Sequence, residues 1–319
     1  MRFLIFLSNS GGHIMPGLTF GNYLKNKGEK VTYVASNQKT SKLLIKDECI
    51  WVDSNTICKE SLSLKDLKKL RVIAKDYDCF IGCGGYVSLL GSIVAPLCKK
   101  KLFLFEANST IGESNRVGKL FAKNVFSYYP FDSKKIKNIG SPVEDEFKTI
   151  EVKYMLKKVL LLGGSQGSKT LCKKYLNLAS NNKDLTFYMS LGVNGDLNTT
   201  LSNLIVRKFV KREEYKNFDL IISRAGGTTI AEVIKSGVPL ILVPSPYVKN
   251  DHQRKNANKI AKFASVMIAE ENDDLSLQNA LDYFRKFDNR LKANQDYKNV
   301  SHNNVCKKAY EIIKQYEKH

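Results

Sequence analysis

Two glycine-rich segments follow short apolar runs and lie about half the chain apart. Residues 8–13 read Ser-Asn-Ser-Gly-Gly-His after the apolar run 3–7, and residues 163–168 read Gly-Gly-Ser-Gln-Gly-Ser after the run 159–162. Glycine lets the backbone turn tightly and approach a ligand closely, and a helix that begins after such a turn directs N–H groups at an anion. The pair predicts two similar α/β domains; two ordinary strand-to-helix turns are the alternative.

Strand-like runs alternate with helical patterns, which indicates parallel sheets covered by helices on both faces. We predict a first domain over residues 1–141 and a second over residues 152–300, joined by a polar, turn-prone segment. A last helix over about 302–319 is expected to pack back on the first domain. Ligands of such sheets bind at the carboxyl ends of the strands. The predicted helices include 16–27, 62–75, 87–98, 228–236, 251–263 and 273–288.

The chain is strongly basic. It carries 51 lysines and arginines against 31 aspartates and glutamates, a formal net charge of +20 over 319 residues. This excess favours an anionic partner such as nucleic acid, an acidic membrane face or a phosphorylated substrate. A solvated basic surface without such a partner is the alternative.

Several classes of protein are disfavoured. The seven cysteines form no Cys-x-x-Cys pair, which is typical of a reduced cytosolic protein and argues against a disulfide framework or a zinc site. No apolar run reaches the length of a membrane span, and the apolar N-terminal run is interpreted as the first strand rather than a signal peptide. The Asp-Tyr-Asp segment at 76–78 precedes its strand, so it is expected at the edge away from the ligand, and no metal site is predicted.

Polar side chains near the predicted carboxyl ends of strands are the candidates for chemistry. Glu232 lies one turn into a helix, where a carboxylate can accept hydrogen bonds from two vicinal hydroxyls such as those of a ribose; a capping or surface glutamate is the alternative. Residues 251–253 (Asp-His-Gln) can bind sugar hydroxyls, and Asp251 can also cap a helix. His13 ends the first glycine loop, where it can take a proton from an attacking hydroxyl or simply pack.

These segments, in this order, resemble the MurG family, bacterial N-acetylglucosaminyltransferases that convert lipid I to lipid II in peptidoglycan synthesis. The resemblance spans nearly the whole chain and implies the GT-B architecture, in which two Rossmann-like domains face each other across a cleft and the C-terminal one holds most of the donor. The segments that carry it are 10–17, 82–88, 105–108 with Ser114 and Asn115, 163–168, 223–232 and 251–257.

The resemblance implies UDP-N-acetylglucosamine as the donor substrate and inverting transfer to the C4 hydroxyl of a muramyl sugar on a polyprenyl diphosphate. No tightly bound cofactor and no nucleic-acid partner are predicted, and metal dependence stays open. His13 would be the base, and Glu232 would bind the uridine ribose. The other donor residues would be Ser165, Gln166, Gly226, Thr228 and Thr229 near the diphosphate, and His252 and Gln253 at the sugar. The acceptor-side residues would be Gly11, Gly12, Gly84, Gly85, Tyr86 and Asn108.

The chain departs from the family pattern at four places: it has Ser8-Asn9 for early glycines, Phe105 for a histidine, Ala107 for a glutamine and Glu144 for an arginine. A related transferase acting on another membrane lipid is therefore an alternative. A UDP-N-acetylglucosamine 2-epimerase shares the architecture and is a second one. A nucleic-acid-binding protein is suggested by charge alone and lacks an aromatic-basic recognition motif.

A lipid-linked acceptor does not leave the bilayer easily, so we expect a cytoplasmic protein held peripherally on the anionic inner face of the cell membrane. Residues 62–73 place three leucines at helical spacing among four cations. Such a helix can rest an apolar stripe on the membrane interface; a stripe that faces the core is the alternative. The leucines are Leu64, Leu67 and Leu70, and the cations are Lys65, Lys68, Lys69 and Arg71.

Overall fold

The computed structural model describes residues 1–53, 64–143, 150–164, 167–193 and 195–317. The chain divides into two compact units, one formed by Met1–Val143 with His302–His319 and the other by Glu144–Ser301. Each unit has its own parallel sheet, which confirms the prediction of two α/β domains.

The first unit is built on a seven-stranded sheet in the order β3-β2-β1-β4-β5-β6-β7. Its central strand carries side chains to both faces, because Phe3 and Ile5 belong to one apolar cluster and Leu4 and Phe6 to the other. A parallel strand covered on both faces reads as a continuous apolar run for this reason. The strands are β1 (Arg2–Leu7), β2 (Lys30–Ser36), β3 (Cys49–Val52), β4 (Cys79–Gly82), β5 (Lys101–Glu106), β6 (Asn124–Ser127) and β7 (Ile136–Asn138).

Two layers of helices cover this sheet. Residues of α1 and α11 enter one apolar cluster, and residues of α3 and α4 enter the other. The helices are α1 (Gly11–Asn26), α2 (Lys39–Leu44), α3 (Leu64–Ile73), α4 (Gly85–Leu97), α5 (Glu113–Phe121) and, from the end of the chain, α11 (Val305–Gln315).

The second unit has a six-stranded sheet in the order β10-β9-β8-β11-β12-β13. The strands are β8 (Lys158–Leu162), β9 (Thr186–Ser190), β10 (Leu204–Arg207), β11 (Leu220–Ser223), β12 (Leu240–Leu242) and β13 (Met267–Ile268). The helices are α6 (Lys169–Asn181), α7 (Gly227–Ser236), α8 (His252–Ile260), α9 (Asp274–Arg285) and α10 (Phe287–Val300), with a 3₁₀ helix at Arg212–Asn217.

Both sheets reverse their strand order at the centre, between β1 and β4 in the first unit and between β8 and β11 in the second. The loops that follow these four strands diverge to opposite faces of the sheet, which opens a crevice at its carboxyl edge. All four strands are followed by the glycine-containing segments identified in the sequence, so the topology sets the place of both candidate sites.

The structure corrects two predictions of elements. Helix α1 begins at Gly11 rather than at residue 16, so His13 lies in its first turn and not at the end of a loop. The helix predicted over 273–288 is two helices, α9 and α10, which part at Lys286 (φ −72°, ψ 126°). The buried guanidinium of Arg290 binds the carbonyls of Phe284 and Arg285 at the end of α9, and this tertiary contact leaves no signal in the sequence.

The leucine stripe proposed for membrane contact largely faces the core. Leu70 is fully buried, and Leu67 packs against the apolar cluster to which α3 and α4 contribute. Leu64 is 72% exposed, and Leu62 lies outside the described residues. Among the residues that the structure describes, no helix combines the length and the apolar character needed to cross a bilayer.

The Asp-Tyr-Asp segment lies at the amino edge of the first sheet, as predicted. An oxygen of Asp78 accepts a hydrogen bond from the backbone N–H of Arg2, 2.7 Å away, at the start of β1. Within the described stretches, no three His, Cys, Asp or Glu side chains gather as metal ligands. The six cysteines in those stretches are free thiols.

Candidate active site

One buried serine ties together the first glycine loop, residues 8–13, and the second, residues 82–88 after β4; residues 163–168 form the third. Oγ of Ser8 donates a hydrogen bond to the carbonyl of Gly84 at 2.8 Å and accepts one from the backbone N–H of Val87 at 3.1 Å. Gly84 and Gly85 have φ angles of +86° and +70°, which glycine adopts without strain. A Cβ atom on Gly85 would lie 2.3 Å from Ser8 Oγ. Ser8, a departure from the family pattern, therefore joins the two loops.

His13 lies half-buried in the first turn of α1, against the second loop. Its Nδ1 is 3.1 Å from Oγ of Ser10. A Cβ atom built on Gly84 would lie 3.2 Å from its Nε2. One ring nitrogen thus lies beside Ser10, and the other lies beside Gly84, where a side chain would crowd the ring.

The remaining acceptor-side residues of the first two loops lie at the starts of the same two helices. Gly11 and Gly12 are the first residues of α1, and Tyr86 follows Gly85 in α4. The structure brings these residues together with His13, because β1 and β4 are neighbouring strands.

Asn108 is held by a buried carboxylate at the end of β5. Oε1 of Glu106 accepts hydrogen bonds from the backbone N–H and the Nδ2 of Asn108, both at 3.0 Å. Oε2 accepts from Gly112 N at 2.9 Å and from Asn115 Nδ2 at 3.0 Å. Burial raises the pKa of Glu106, and the hydrogen bonds from Gly112, Asn108 and Asn115 oppose that rise. We had assigned no role to Glu106 or Asn115, although both lie in segments that carry the resemblance.

Phe105, which replaces a histidine of the family pattern, packs in the core of the first unit. Phe105 is 4% exposed, and its ring packs against those of Phe20 and Phe126, each 5.2 Å away between centroids. Because neighbouring side chains of a strand point to opposite faces, this side chain packs on the sheet while Glu106 reaches the loop. Ala107 follows β5 and is half-buried, and Glu144 lies outside the described residues.

In the second unit, the third glycine loop turns directly after β8. The backbone N–H of Gly163 donates to the carbonyl of Ser190 at 3.0 Å. Gly167 has a φ angle of +84°, and a Cβ atom there would lie 2.5 Å from the carbonyl oxygen of Leu191, so this position requires glycine. Ser165 and Gln166, predicted near the diphosphate, lie outside the described residues.

The loop after β11 leads into α7. Gly226 is the residue before the first turn of that helix, which contains Thr228 and Thr229. Glu232 follows in the second turn and is 6% exposed. It is therefore not a surface glutamate. Its Oε1 lies 2.6 Å from Nε of Arg212, a partner that we did not predict.

Arg224 connects three loops at the carboxyl edge of the second sheet. Its two Nη atoms donate to the two carboxylate oxygens of Glu271 at 2.9 and 2.6 Å, and Nη2 also donates to Oγ of Ser168 at 2.9 Å. Thr170 donates to Glu271 at 2.6 Å. Burial alone would raise the pKa of Glu271, but the hydrogen bonds from Arg224 and Thr170 outweigh it, so the pKa is lowered.

His252 and Gln253 are the first two residues of α8. Oε1 of Gln253 accepts a hydrogen bond from Ser245 N at 2.8 Å. Asp251 precedes the helix with φ 50° and ψ 36° and makes no side-chain capping bond, so the capping alternative is not observed. Asn256 Nδ2 donates to the carbonyl of Ala225 at 3.0 Å, which holds α8 beside the start of α7.

The predicted site residues that the structure describes thus lie in the loops and at the helix starts that follow the strands of the two sheets. The fold that carries them is similar to that of MurG from Acinetobacter baumannii, with a TM-score of 0.77 and 22% identity over 99% of this chain and 100% of that one. A putative UDP-N-acetylglucosamine 2-epimerase from Listeria monocytogenes has a TM-score of 0.71 at 12% identity, over 99% of this chain and 96% of that one. These likenesses and the placement of the glycine loops define a glycosyltransferase fold of the GT-B class.

Two family models match one particular family of glycosyltransferases. Residues 4–127 match the glycosyltransferase family 28 N-terminal domain, and residues 158–316 match the family 28 C-terminal domain. A UDP-N-acetylglucosamine–N-acetylmuramyl-(pentapeptide) pyrophosphoryl-undecaprenol N-acetylglucosamine transferase of Sulfurihydrogenibium sp. is 30% identical over 84% of this chain and 85% of that enzyme. The enzyme of the same name from Campylobacter fetus is 31% identical over 82% and 85%. The chain belongs to glycosyltransferase family 28 and, within it, to the MurG family.

Proposed function

We propose that the protein transfers N-acetylglucosamine from UDP-N-acetylglucosamine, with inversion, to the muramyl sugar of a polyprenyl-diphosphate lipid, the step from lipid I to lipid II. The observation that carries the proposal is the 30% identity to an enzyme whose name states this donor and this acceptor, over 84% of the chain. The alternatives share the fold, whereas the name of this relative states the proposed donor and acceptor.

The second unit supplies the donor site. The N–H groups at the start of α7, beside the third glycine loop, suit a diphosphate. Glu232 accepts the ribose hydroxyls, while His252 and Gln253 bind hydroxyls of the sugar. Ser165 and Gln166 belong to the glycine loop and contact the diphosphate. The joining of the loops by Arg224, Glu271 and Ser168 supports this assignment, because a binding site needs its loops held in fixed register.

The first unit supplies the base. A His13 tautomer that donates from Nδ1 to Ser10 has its acceptor nitrogen at Nε2, which lies beside Gly84. The acceptor C4 hydroxyl gives its proton to Nε2 as its oxygen bonds to C1 of the donor sugar. The bond from C1 to the diphosphate oxygen breaks, and UDP leaves with the electron pair. Asn108, held by Glu106, hydrogen-bonds the acceptor beside the two glycine loops.

The surface of α3–α5 contacts the membrane. These helices pack on one face of the first sheet and expose large apolar side chains: Leu64 (72%), Val72 (68%), Leu97 (59%), Leu120 (70%) and Phe121 (48%). The cations beside them on α3 are exposed: Lys65, Lys68, Lys69 and Arg71. Apolar residues among cations suit an interface with acidic headgroups. The contact therefore rests on these exposed side chains and not on the buried leucine stripe.

An incubation without lipid separates the transferase from the epimerase. Purified protein receives labelled UDP-N-acetylglucosamine alone, and the sugar is analysed after hydrolysis. A transferase leaves the sugar as N-acetylglucosamine, whereas an epimerase converts a part of it to N-acetylmannosamine. Conversion of the sugar without an acceptor would reject the proposal.

A further inference from the structure

Arg212 forms an ion pair with Glu232, the residue to which the proposed function assigns the donor ribose. Nε of Arg212 lies 2.6 Å from Oε1 of Glu232, and the two side chains are 22% and 8% exposed. We infer that Arg212 is a positioning residue for the donor, which holds Glu232 ionised and aimed at the ribose hydroxyls. The inference rests on the proposed function.

The short 3₁₀ helix Arg212–Asn217 presents Arg212 to α7. The helix is fixed at its start by Glu214, whose Oε1 accepts from the backbone N–H of Lys211 at 3.0 Å and whose Oε2 pairs with Arg207 at 2.9 Å. Glu214 is therefore engaged by Lys211 and Arg207, while the neighbouring Arg212 turns to Glu232. The two arginines differ in surroundings. The ion pair of Arg207 with Glu214 is exposed to solvent, whereas the ion pair of Arg212 with Glu232 is largely buried.

Tyr215 flanks the pair from the same 3₁₀ helix and is 5% exposed. Burial raises the pKa of its phenol, the negative charge of Glu232 adds to that rise and Arg212 opposes it. The phenol therefore stays neutral beside the two charges. A buried, neutral neighbour keeps water away from the pair and strengthens the attraction between its members.

Glu232 needs a counter-charge to serve as an acceptor of two hydroxyl hydrogen bonds. A carboxylate buried without a partner takes up a proton instead, and a protonated carboxyl has lost part of its acceptor capacity. An ionised carboxylate offers about four lone-pair positions, and the closest approach of Arg212 is from its Nε to Oε1. Arg212 therefore supports ribose binding by keeping this carboxylate charged, rather than competing with the hydroxyls.

The test is calorimetric titration of the full chain with UDP and with 2′-deoxy-UDP. Wild type should bind UDP at least tenfold more tightly than 2′-deoxy-UDP. Arg212→Ala should lower UDP affinity about tenfold and 2′-deoxy-UDP affinity much less, so that the ratio of the two falls. Arg212→Lys, which keeps a cation, should recover part of that ratio. Arg2→Ala removes an arginine from an exposed ion pair of the first unit, with Asp78, and should leave both affinities unchanged.

The outcomes separate this inference from the proposed function. Glu232→Ala serves as the reference: if it binds both nucleotides as wild type does, the ribose assignment fails and the inference falls with it. If Glu232→Ala loses the preference for UDP over 2′-deoxy-UDP but Arg212→Ala keeps that preference, the inference alone is overturned. Tighter UDP binding by Arg212→Ala would also overturn it, because Arg212 would then obstruct the ribose. An equal loss of affinity for both nucleotides would overturn it as well, because it indicates a purely structural role. Far-UV circular dichroism establishes that each variant is folded.

Discussion

A Cβ atom built on Gly84 lies 3.2 Å from Nε2 of His13 and 3.0 Å from its Cδ2. A side chain at position 84 would therefore crowd the imidazole of His13. The φ angle of Gly84 is +86°, and Ser8 fixes its carbonyl at 2.8 Å. In the proposed mechanism, the acceptor hydroxyl approaches Nε2 of His13 at this place.

Replacing Gly84 with alanine should close that place. We expect Gly84→Ala to lower turnover by at least about tenfold, because the methyl group fills the space before His13 and the positive φ strains any other residue. UDP affinity should stay unchanged, since the donor residues lie in the other unit. Steady-state kinetics and UDP calorimetry on the folded variant check this. Normal turnover would show that the acceptor hydroxyl does not occupy this space.

The base itself is tested by two substitutions. If His13 accepts the proton, His13→Ala should cost about 10²–10⁴ in turnover with little change in UDP binding. Ser10→Ala removes the contact at Nδ1 and leaves the ring in place, so its loss should be smaller. A His13→Ala enzyme that keeps most of its turnover would show that the ring only packs against the second loop.

The link between Arg224 and Glu271 should make stability depend on pH. The pKa of Glu271 is lowered from its ordinary value of 4.5, so the pair stabilises the fold above that value and this contribution is lost as pH falls through the folded pKa. Glu271→Gln should therefore lower the free energy of unfolding at pH 7 by about 1.5–3 kcal/mol, and the difference from wild type should shrink as the medium becomes more acidic.

Urea unfolding of both proteins at several pH values measures this difference. Glu270→Gln is the matched control, because Glu270 is the next residue and is 53% exposed in its pair with Arg254; an exposed pair contributes about 0–1 kcal/mol. A difference for Glu271→Gln that stayed constant with pH would contradict the role of the ion pair.

Binding to membranes should depend on the cations of α3. Changing Lys65, Lys68, Lys69 and Arg71 together to Gln should weaken co-sedimentation with acidic vesicles, because each cation near such a surface contributes about 1 kcal/mol before screening. High salt should weaken wild-type binding in the same way. The control replaces four exposed lysines of the second unit with Gln: Lys183, Lys216, Lys262 and Lys298. Equal losses in both variants would mean that net charge and not this surface holds the protein on the bilayer.

The glycine loops and the central strands were predictable because apolar runs and glycines within a few residues define them. The charged partners were not, because tertiary structure brings them together. Arg224 and Glu271 are 47 residues apart in the sequence. Glu106 was not recognised because it lies between Phe105 and Ala107, which both depart from the family pattern. The end of α9 escaped notice for the same reason, since the guanidinium that binds its last carbonyls comes from α10.

The labelled transfer reaction tests the central claim most directly. Purified protein, labelled UDP-N-acetylglucosamine and the polyprenyl-diphosphate-linked muramyl acceptor are incubated together, and label is counted in the extracted lipid. A parallel reaction uses another polyprenyl-linked sugar, which tests the related transferase. The account predicts that label enters the muramyl lipid with release of one UDP for each sugar transferred, and that His13→Ala abolishes most of it. Label that enters the other lipid but not the muramyl lipid would contradict it.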